Sequence, residues 1–409
     1  MRKPFLIIVC LLCANMITFA QKGKVYSAKS FFTQGKLDKA KELIDEAIVH
    51  EKCVNWDQAY FVRGLIYQAI FESQDANYKQ LSQDALQIAW DAYQKVIELD
   101  VKNKYEKDLK VQYENLSIDF INQGITCYQA SDYAGALVAF KQSLAINASQ
   151  YGTQIIDTNV IFNSGLAAQY AKNYTEAEKF YKEALKYNYD LSKTYPSLAR
   201  VLFDQGSVAM EAGDSTTAKM KEEEAINYLV KGHELFPADM YMLVELINYY
   251  LQGEDPMKAE KYLDAAIKQD PENADYYRNK GLLYGRVDKN DEAEKMFIKA
   301  LELNPNDYQS QYSLGNIELN RVTAEHEKVN ELPANEEKRY MEEYIKILNR
   351  YEAVVPYFEK VLELEPDEEC RNFTMITLKE LYYRLKERNG KPYKDFTQKY
   401  ENVMRKLNN

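Results

Sequence analysis

Three histidines, His50, His233 and His326, are the residues of this 409-residue chain best suited to hold a metal ion or relay a proton, and each stands alone. A zinc or general-base site needs two or more such groups converging at short spacing. His233-Glu234 lacks the second histidine of a zinc-protease helix. Of the five cysteines, Cys10 and Cys13 lie in an N-terminal apolar run, while Cys53, Cys127 and Cys370 are far apart and odd in number. Packed, reduced thiols are therefore expected, not a disulfide framework. The sequence contains no Gly-x-Ser-x-Gly elbow and no Walker-type Gly-Lys-Ser/Thr; Gly35-Lys36 and Gly390-Lys391 read as turns. Asp288-Lys289-Asn290-Asp291 offers oxygen ligands but lacks the glycine and closing glutamate of a calcium loop, so an interhelix turn is expected there. The acid runs Glu222-Glu223-Glu224 and Glu336-Glu337 read as solvated helix faces. No catalytic residue, metal ligand or cofactor site is assigned, and the expectation is a protein that is not an enzyme.

Composition narrows the class further. With 46% apolar, 13% aromatic and 28% charged residues, 15 Gly and 10 Pro, the chain is globular, which excludes disorder, collagen and a membrane bundle. A formal charge of −11 argues against a nucleic-acid partner, because phosphate-backbone binding needs a basic surface. Arg2 and Lys3 precede an apolar run from Phe5 to Leu12, and Thr18-Phe19-Ala20 puts small residues three and one positions before Gln21. This predicts an export signal peptide over residues 1–20, cleaved after Ala20. The run is shorter than a spanning helix needs, so no transmembrane span is expected in the mature chain. Leu12 precedes Cys13 where lipoprotein processing wants Gly, Ala or Ser. A periplasmic or secreted location is therefore expected ahead of an outer-membrane anchor. Loss of Arg2 and Lys3 takes the charge to −13.

The elements that would position any functional side chain come from an internal repeat. One register aligns Ala28, Gly64, Gly124, Gly165, Gly206, Gly281 and Gly315, with Ile247 as its one bulky member; from Gly124 the steps are 41, 41, 41, 34 and 34 residues. Twelve residues after most of these sites stands a second small residue: Ala40, Ala136, Ala177, Ala259 and Ala293. Four further on come Ile44, Phe140, Tyr181, Leu263 and Phe297, and three beyond those Ala47, Ser143, Ala184, Ala266 and Ala300. Spacing of four then three is one face of a helix. Pro237, Pro271, Pro305 and Pro366 then stop the last four second helices. The small sites are expected where two helices approach closely, and the large residue is expected to fill the gap to the next repeat.

This pattern resembles the tetratricopeptide repeat family, most fully over Tyr277, Gly281, Tyr284, Ala293, Phe297, Ala300 and Pro305, and nearly as well through Gly165, Ala177, Tyr181 and Ala184. The resemblance implies an all-α, right-handed superhelical solenoid of about eight helix-turn-helix repeats over residues 21–366. Insertions are expected near 72–88, 213–224 and 321–350. The last should be an amphipathic helix with Asn335 as N-cap, kinked by Pro356 against the second helix of repeat eight. Residues 367–409 should form a capping helix pair with a polar outer side, broken at Asn389-Gly390.

In this family the first helix of each repeat lines a concave groove, and the partner-facing positions lie three before, one after and four after the first small residue. The resemblance thus assigns Phe61 and Leu65; Ile121, Ile125 and Tyr128; Phe162, Leu166 and Gln169; Phe203 and Met210; Val244 and Asn248; Arg278; and Tyr312 and Asn316. The early repeats offer apolar and aromatic side chains, whereas Arg278, Asn248 and Asn316 alone resemble the family's charged clamp. The expected function is a non-enzymatic scaffold of the bacterial cell envelope that binds a protein or peptide segment. The 34 tyrosines keep a glycan- or peptidoglycan-binding alternative open.

Overall fold

The computed structural model describes residues 22–253, 255–388, 391–392 and 394–407. The expected signal peptide, residues 1–20, and the Asn389-Gly390 break lie outside the described residues. Helices dominate, joined by one two-residue antiparallel ladder in which Glu387 pairs with Pro392 and Arg388 with Lys391. Eight helical hairpins follow one another. They are α1 (residues 22–33) with α2 (Leu37–Ile48), α3 (Asp57–Glu72) with α5 (Ala85–Leu99), α6 (Glu106–Gln129) with α7 (Tyr133–Ala148), and α8 (Thr158–Tyr170) with α9 (Tyr174–Lys186). Then come α10 (Leu191–Glu211) with α11 (Ser215–Leu235), α12 (Met240–Gln252) with α13 (Glu260–Gln269), α14 (Ala274–Arg286) with α15 (Asn290–Leu303), and α16 (Tyr308–Asn330) with α17 (Glu337–Glu363). An end pair, α18 (Glu368–Leu385) and α19 (Lys394–Leu407), follows, and a four-residue α4 (Ala76–Lys79) sits inside the second hairpin. The all-α, repeat-built fold is as the sequence predicts. The chain forms two compact units, one ending at Tyr228 and the other beginning at Leu229, with the boundary inside α11.

Five of the hairpins close on a glycine of the first helix. A methyl group at Gly124 would lie 2.5 Å from the Phe140 ring, at Gly165 2.8 Å from Tyr181, at Gly281 2.7 Å from Phe297 and at Gly315 3.1 Å from Phe358. Gly64 meets Tyr93 in the same way. These rings are at most 2% exposed. The ring four residues after the second small site therefore seats on the glycine of its own hairpin, not in the gap to the next repeat as the sequence suggested. The difference arises because the second helix runs back antiparallel to the first. Gly206 differs: a methyl group there would lie 3.2 Å from the Ala218 carbonyl oxygen, so backbone takes the place of a ring. In the sixth hairpin the register positions hold Ile247 and Leu263 in place of a glycine and a ring, and both are buried.

Five of the turns share one geometry. Gly35, Ser131, Lys172, Gly213 and Asp288 each lie two residues past the end of a first helix and each has positive φ, between 58° and 82°. The next residue donates its N–H back across the turn, as from Asp132 to the Cys127 carbonyl at 2.8 Å, Asn173 to Ala168 at 2.8 Å and Lys289 to Tyr284 at 3.0 Å. This left-handed cap reverses the chain without a long loop.

The insertions lengthen hairpins. Asp75 caps α4 by accepting from Asn77 N–H at 2.8 Å. The 213–224 segment becomes the first turns of α11, with Asp214 accepting from Thr217 N–H at 3.0 Å. The 321–350 segment extends α16 and α17, and two expectations there are corrected. Asn335 lies in a short 3-10 turn and does not cap a helix, and Pro356 sits inside one continuous helix instead of dividing two. Val322, Val329, Ile347, Leu348 and Tyr351 form one buried cluster with Leu378, Leu381, Leu385, Phe396 and Val403 of the end pair. The extension packs on the end helices because its apolar stripe continues the one already buried there. The end pair itself is less polar than expected, since α18 exposes Phe373, Ile376 and Tyr383.

Two carboxylates tie neighbouring hairpins together with opposite pH signatures. Asp119 on α6 is buried and accepts from Gln68 Nε2 at 2.8 Å, and the Tyr93 hydroxyl donates to Gln68 Oε1 at 3.0 Å. Burial pushes the Asp119 carboxyl up to about 7; the Gln68 bond opposes this, and the nearby Glu72 carboxylate adds to it. Glu178 on α9 accepts from Lys182 at 2.6 Å, Lys221 at 2.9 Å and Gln205 at 2.8 Å. Burial alone would raise its pKa, but these bonds prevail and hold it at about 2.

The glycine seats predict opposite effects from two alanines on one helix. Gly281→Ala should destabilise by about 1–3 kcal/mol through overpacking. Gly285→Ala meets nothing within 4 Å and should stabilise by about 0.5–1 kcal/mol through helix propensity. Denaturant titration reads the difference, and shifts of the same sign would sink this packing. A second prediction concerns pH. Asp119 is harder to deprotonate folded than unfolded, so stability should fall as pH rises through about 7. Glu178 is easier to deprotonate folded, so stability should also fall as pH drops from the ordinary glutamate range towards about 2. Melting temperature against pH should lose its neutral limb in Asp119→Asn and weaken its acid limb in Glu178→Gln.

Candidate partner-binding surface

The buried register residue of each first helix fixes which side chains point away from the hairpin. In the first unit, Ile125 on α6 and Met210 on α10 are 42% and 58% exposed. Ile121 and Tyr128 on α6, Leu166 and Gln169 on α8 and Phe203 on α10 are half-buried. Leu65 on α3 is half-buried against the first core cluster. Phe61 and Phe162 are buried, which removes them as partner anchors. Phe61 stacks on Tyr105, with ring centroids 4.6 Å apart, and Phe162 lies 5.3 Å from both Tyr181 and Tyr189. Three residues is just under one helical turn, so this position sits over the glycine's own face, where the seated ring and a loop tyrosine cover it.

In the second unit, Val244 is half-buried and Asn248 is exposed. The Arg278 guanidinium is 2.8 Å from Asp275 and 3.3 Å from Asp307, so its charge is matched within the protein. Tyr312 packs edge-on against Phe358 at 5.7 Å, and Asn316 is half-buried. The clamp-like residues thus do not form an open cationic patch of their own.

The structure also shows an aromatic cluster that the repeat register passes over. Tyr133 and Tyr170 stack at 5.1 Å, and Tyr128 meets both edge-on, at 5.2 and 5.9 Å. Tyr170 is 55% exposed. It lies five residues after Gly165, one beyond the last position the resemblance assigns, and Tyr133 opens the second helix of another repeat. Burial raises the Tyr128 hydroxyl pKa, with the neighbouring Tyr170 and Tyr133 adding to it. The ring faces provide stacking area and the hydroxyls provide polar edges, a combination suited to recognition.

The residues able to do acid–base or metal chemistry are dispersed. Among the described residues, no group of three or more His, Cys, Asp or Glu side chains is placed to share a metal ion. His233 packs edge-on to Tyr262 at 5.5 Å, and burial lowers its pKa. His326 Nδ1 is 3.2 Å from the Tyr351 hydroxyl. Cys53 is buried, and Cys53, Cys127 and Cys370 are free thiols. No helix among the described residues is long and apolar enough to cross a membrane.

Comparison with known proteins follows the same helices. Residues 158–191, which contain α8 and α9, and 274–307, which contain α14 and α15, match a tetratricopeptide repeat model, and residues 244–288 match a second one. No curated protein matches the chain. Among solved structures, the chain is 19% identical to YrrB, described as a TPR protein with an unusual peptide-binding site; the match covers 54% of this chain and 95% of that one, with a TM-score of 0.34. It is 15% identical to the C-terminal part of a TPR repeat-containing protein from Cytophaga hutchinsonii, covering 64% of this chain and 95% of that one, with a TM-score of 0.38. A tetratricopeptide repeat protein from Parabacteroides merdae is 17% identical over 64% of this chain and 98% of its own, with a TM-score of 0.36. Folds of tetratricopeptide repeats are typically non-enzymatic scaffolds, and proteins that carry them bind protein or peptide partners. The helical hairpins of this chain include tetratricopeptide repeats, and these support a role in protein–protein interaction.

Proposed function

We propose that this protein is a non-enzymatic scaffold of the bacterial cell envelope, periplasmic or secreted, that holds a partner protein segment against the first helices of its first unit. The observation that carries this reading is the row of apolar and aromatic side chains left accessible on consecutive first helices: Ile125 on α6, Tyr170 on α8 and Met210 on α10. Exposed apolar area of this kind on an otherwise acidic protein marks an interaction surface. Rigid helices present it without an ordering cost, so its aromatic members act as preorganised anchors. The envelope location rests on the basic start, apolar core and Thr18-Phe19-Ala20 site of the leader. A second reading, glycan or peptidoglycan binding, is favoured by the open Tyr170 ring, on which a sugar face could stack.

A double variant, Tyr170→Ala with Met210→Glu, tests the surface. Both side chains are more than half exposed, so the fold should persist by circular dichroism while proteins co-purified from the envelope of the source cell are lost. Retention of every wild-type partner would overturn the surface. Retention combined with loss of binding to purified cell-wall fragments would instead support the glycan reading. N-terminal sequencing of the exported protein should begin at Gln21, and an intact Met1 would overturn the leader.

A further inference from the structure

The first hairpin carries a cationic face on a chain whose formal charge is −11. From Lys22 to Leu37 there are four lysines and no carboxylate. No other helix among the described residues bears two or more cations without an acid. On α1, Lys22, Tyr26, Lys29 and Thr33 follow the spacing of one helix face, and all four are exposed. Lys36 and Lys39 carry the charge on around the turn, with their ammonium groups 5.9 and 5.8 Å from the centre of the Phe31 ring.

The surrounding carboxylates do not cancel this face. Lys24 pairs with Glu46, Lys41 pairs with Asp45 at 3.0 Å, and Asp57 lies 3.7 Å from Lys104. In the loop after α2, exposed Glu51 and Lys52 offset each other. Lys22, Lys29, Lys36 and Lys39 pair with no carboxylate among the described residues. Against these four stand exposed Asp38 and Glu42, both on α2, so the surplus is positive and α1 itself is purely cationic. Acids farther off than about 10 Å are screened at ordinary salt.

Aromatic side chains stand beside the lysines. Tyr26 is 56% exposed and meets Trp56 edge-on at 5.8 Å, and the Lys22 ammonium lies 4.9 Å from the Trp56 ring centre. Val54, two residues before Trp56, is 39% exposed. Tyr and Trp rings flanked by lysine are side chains that settle at the headgroup level of a bilayer, with apolar stems inward and polar tips in water. The unmatched cations are all lysine. An arginine fork selects discrete carboxylates or phosphates, whereas lysine ammonium groups act as point charges and suit a diffuse negative surface. We propose that α1, the turn after it and Trp56 dock this protein on an anionic lipid surface. None of these residues belongs to the α6, α8 and α10 surface, so lipid docking and partner capture stand or fall separately.

Co-sedimentation of the exported protein with vesicles of mixed phosphatidylcholine and phosphatidylglycerol, and with vesicles of phosphatidylcholine alone, tests this. Binding is expected to the anionic vesicles and not to the neutral ones, and should weaken as added salt shortens the screening length. Lys22→Glu with Lys29→Glu and Lys36→Glu should lower vesicle affinity by at least about a hundredfold, with helicity unchanged by circular dichroism. Tyr26→Ala should lower it several-fold at constant charge. Lys172→Glu with Lys179→Glu and Lys219→Glu makes the same change in net charge at exposed positions of the fourth and fifth hairpins, and should retain binding. No binding to the anionic vesicles, equal binding to the neutral ones, or equal loss in the two triple variants would each overturn the proposal. So would binding to soluble poly-glutamate as tight as to the vesicles, which would make the partner an acidic chain.

Discussion

The seat of a ring on a glycine is the contact on which the rest of this structure depends. At Gly64, Gly124, Gly165, Gly281 and Gly315 the second helix lays an aromatic side chain where a Cβ would stand. That brings two helices close enough to exclude water from Tyr93, Phe140, Tyr181, Phe297 and Phe358. Each such ring buries a large apolar area, and aromatic side chains dominate core energetics for that reason. Once the glycine face of a first helix is committed to the seat, the opposite side of that helix is what solvent and partners meet. The candidate surface is therefore a by-product of hairpin closure.

The turn geometry supports the same closure. Five hairpins reverse through one residue in the left-handed region, though only Gly35 and Gly213 are glycines. Ser131, Lys172 and Asp288 adopt it at some steric cost, offset by the N–H donated back across each turn. Short turns leave little loop on which to mount catalytic groups. What the repeats can vary is helix length, and the 321–350 segment shows how: it extends α16 and α17 until their shared apolar stripe reaches α18 and α19. Arg321 fastens the base of that extension, reaching Glu318 at 2.6 Å and both Asp291 and Glu294 at 2.7 Å.

The candidate surface was legible only in part. Ile125 and Met210, one and four residues past the glycines of their helices, are exposed, because those steps are a fixed rotation away from the seated face. The register could not foresee that Tyr105 and Tyr189, in the segments after second helices, fold back over Phe61 and Phe162. Nor could it find Tyr170, which lies one residue beyond the assigned positions and stacks on Tyr133 from another hairpin. Arg278 looked like a binding cation until Asp275 and Asp307 were seen beside it.

By itself, the sequence determined the helical class, the number of hairpins and the residue at the centre of each, since these depend on periodicity within one or two helices. Size complementarity was written there too, as in the small residues recurring twelve positions apart and the large one four further on. Only the tertiary structure decided which hairpin each ring closes, where the long insertion lies, and which of the outward side chains remain accessible. It also decided that Asp119 is buried beside Gln68 while Glu178 is held by two lysines, so that two acids of the same chemical type titrate on opposite sides of their ordinary range. The physical reason is that burial and pairing are set by segments far apart in the chain. A local pattern specifies the face a residue occupies on its own helix, but not what another helix brings to that face.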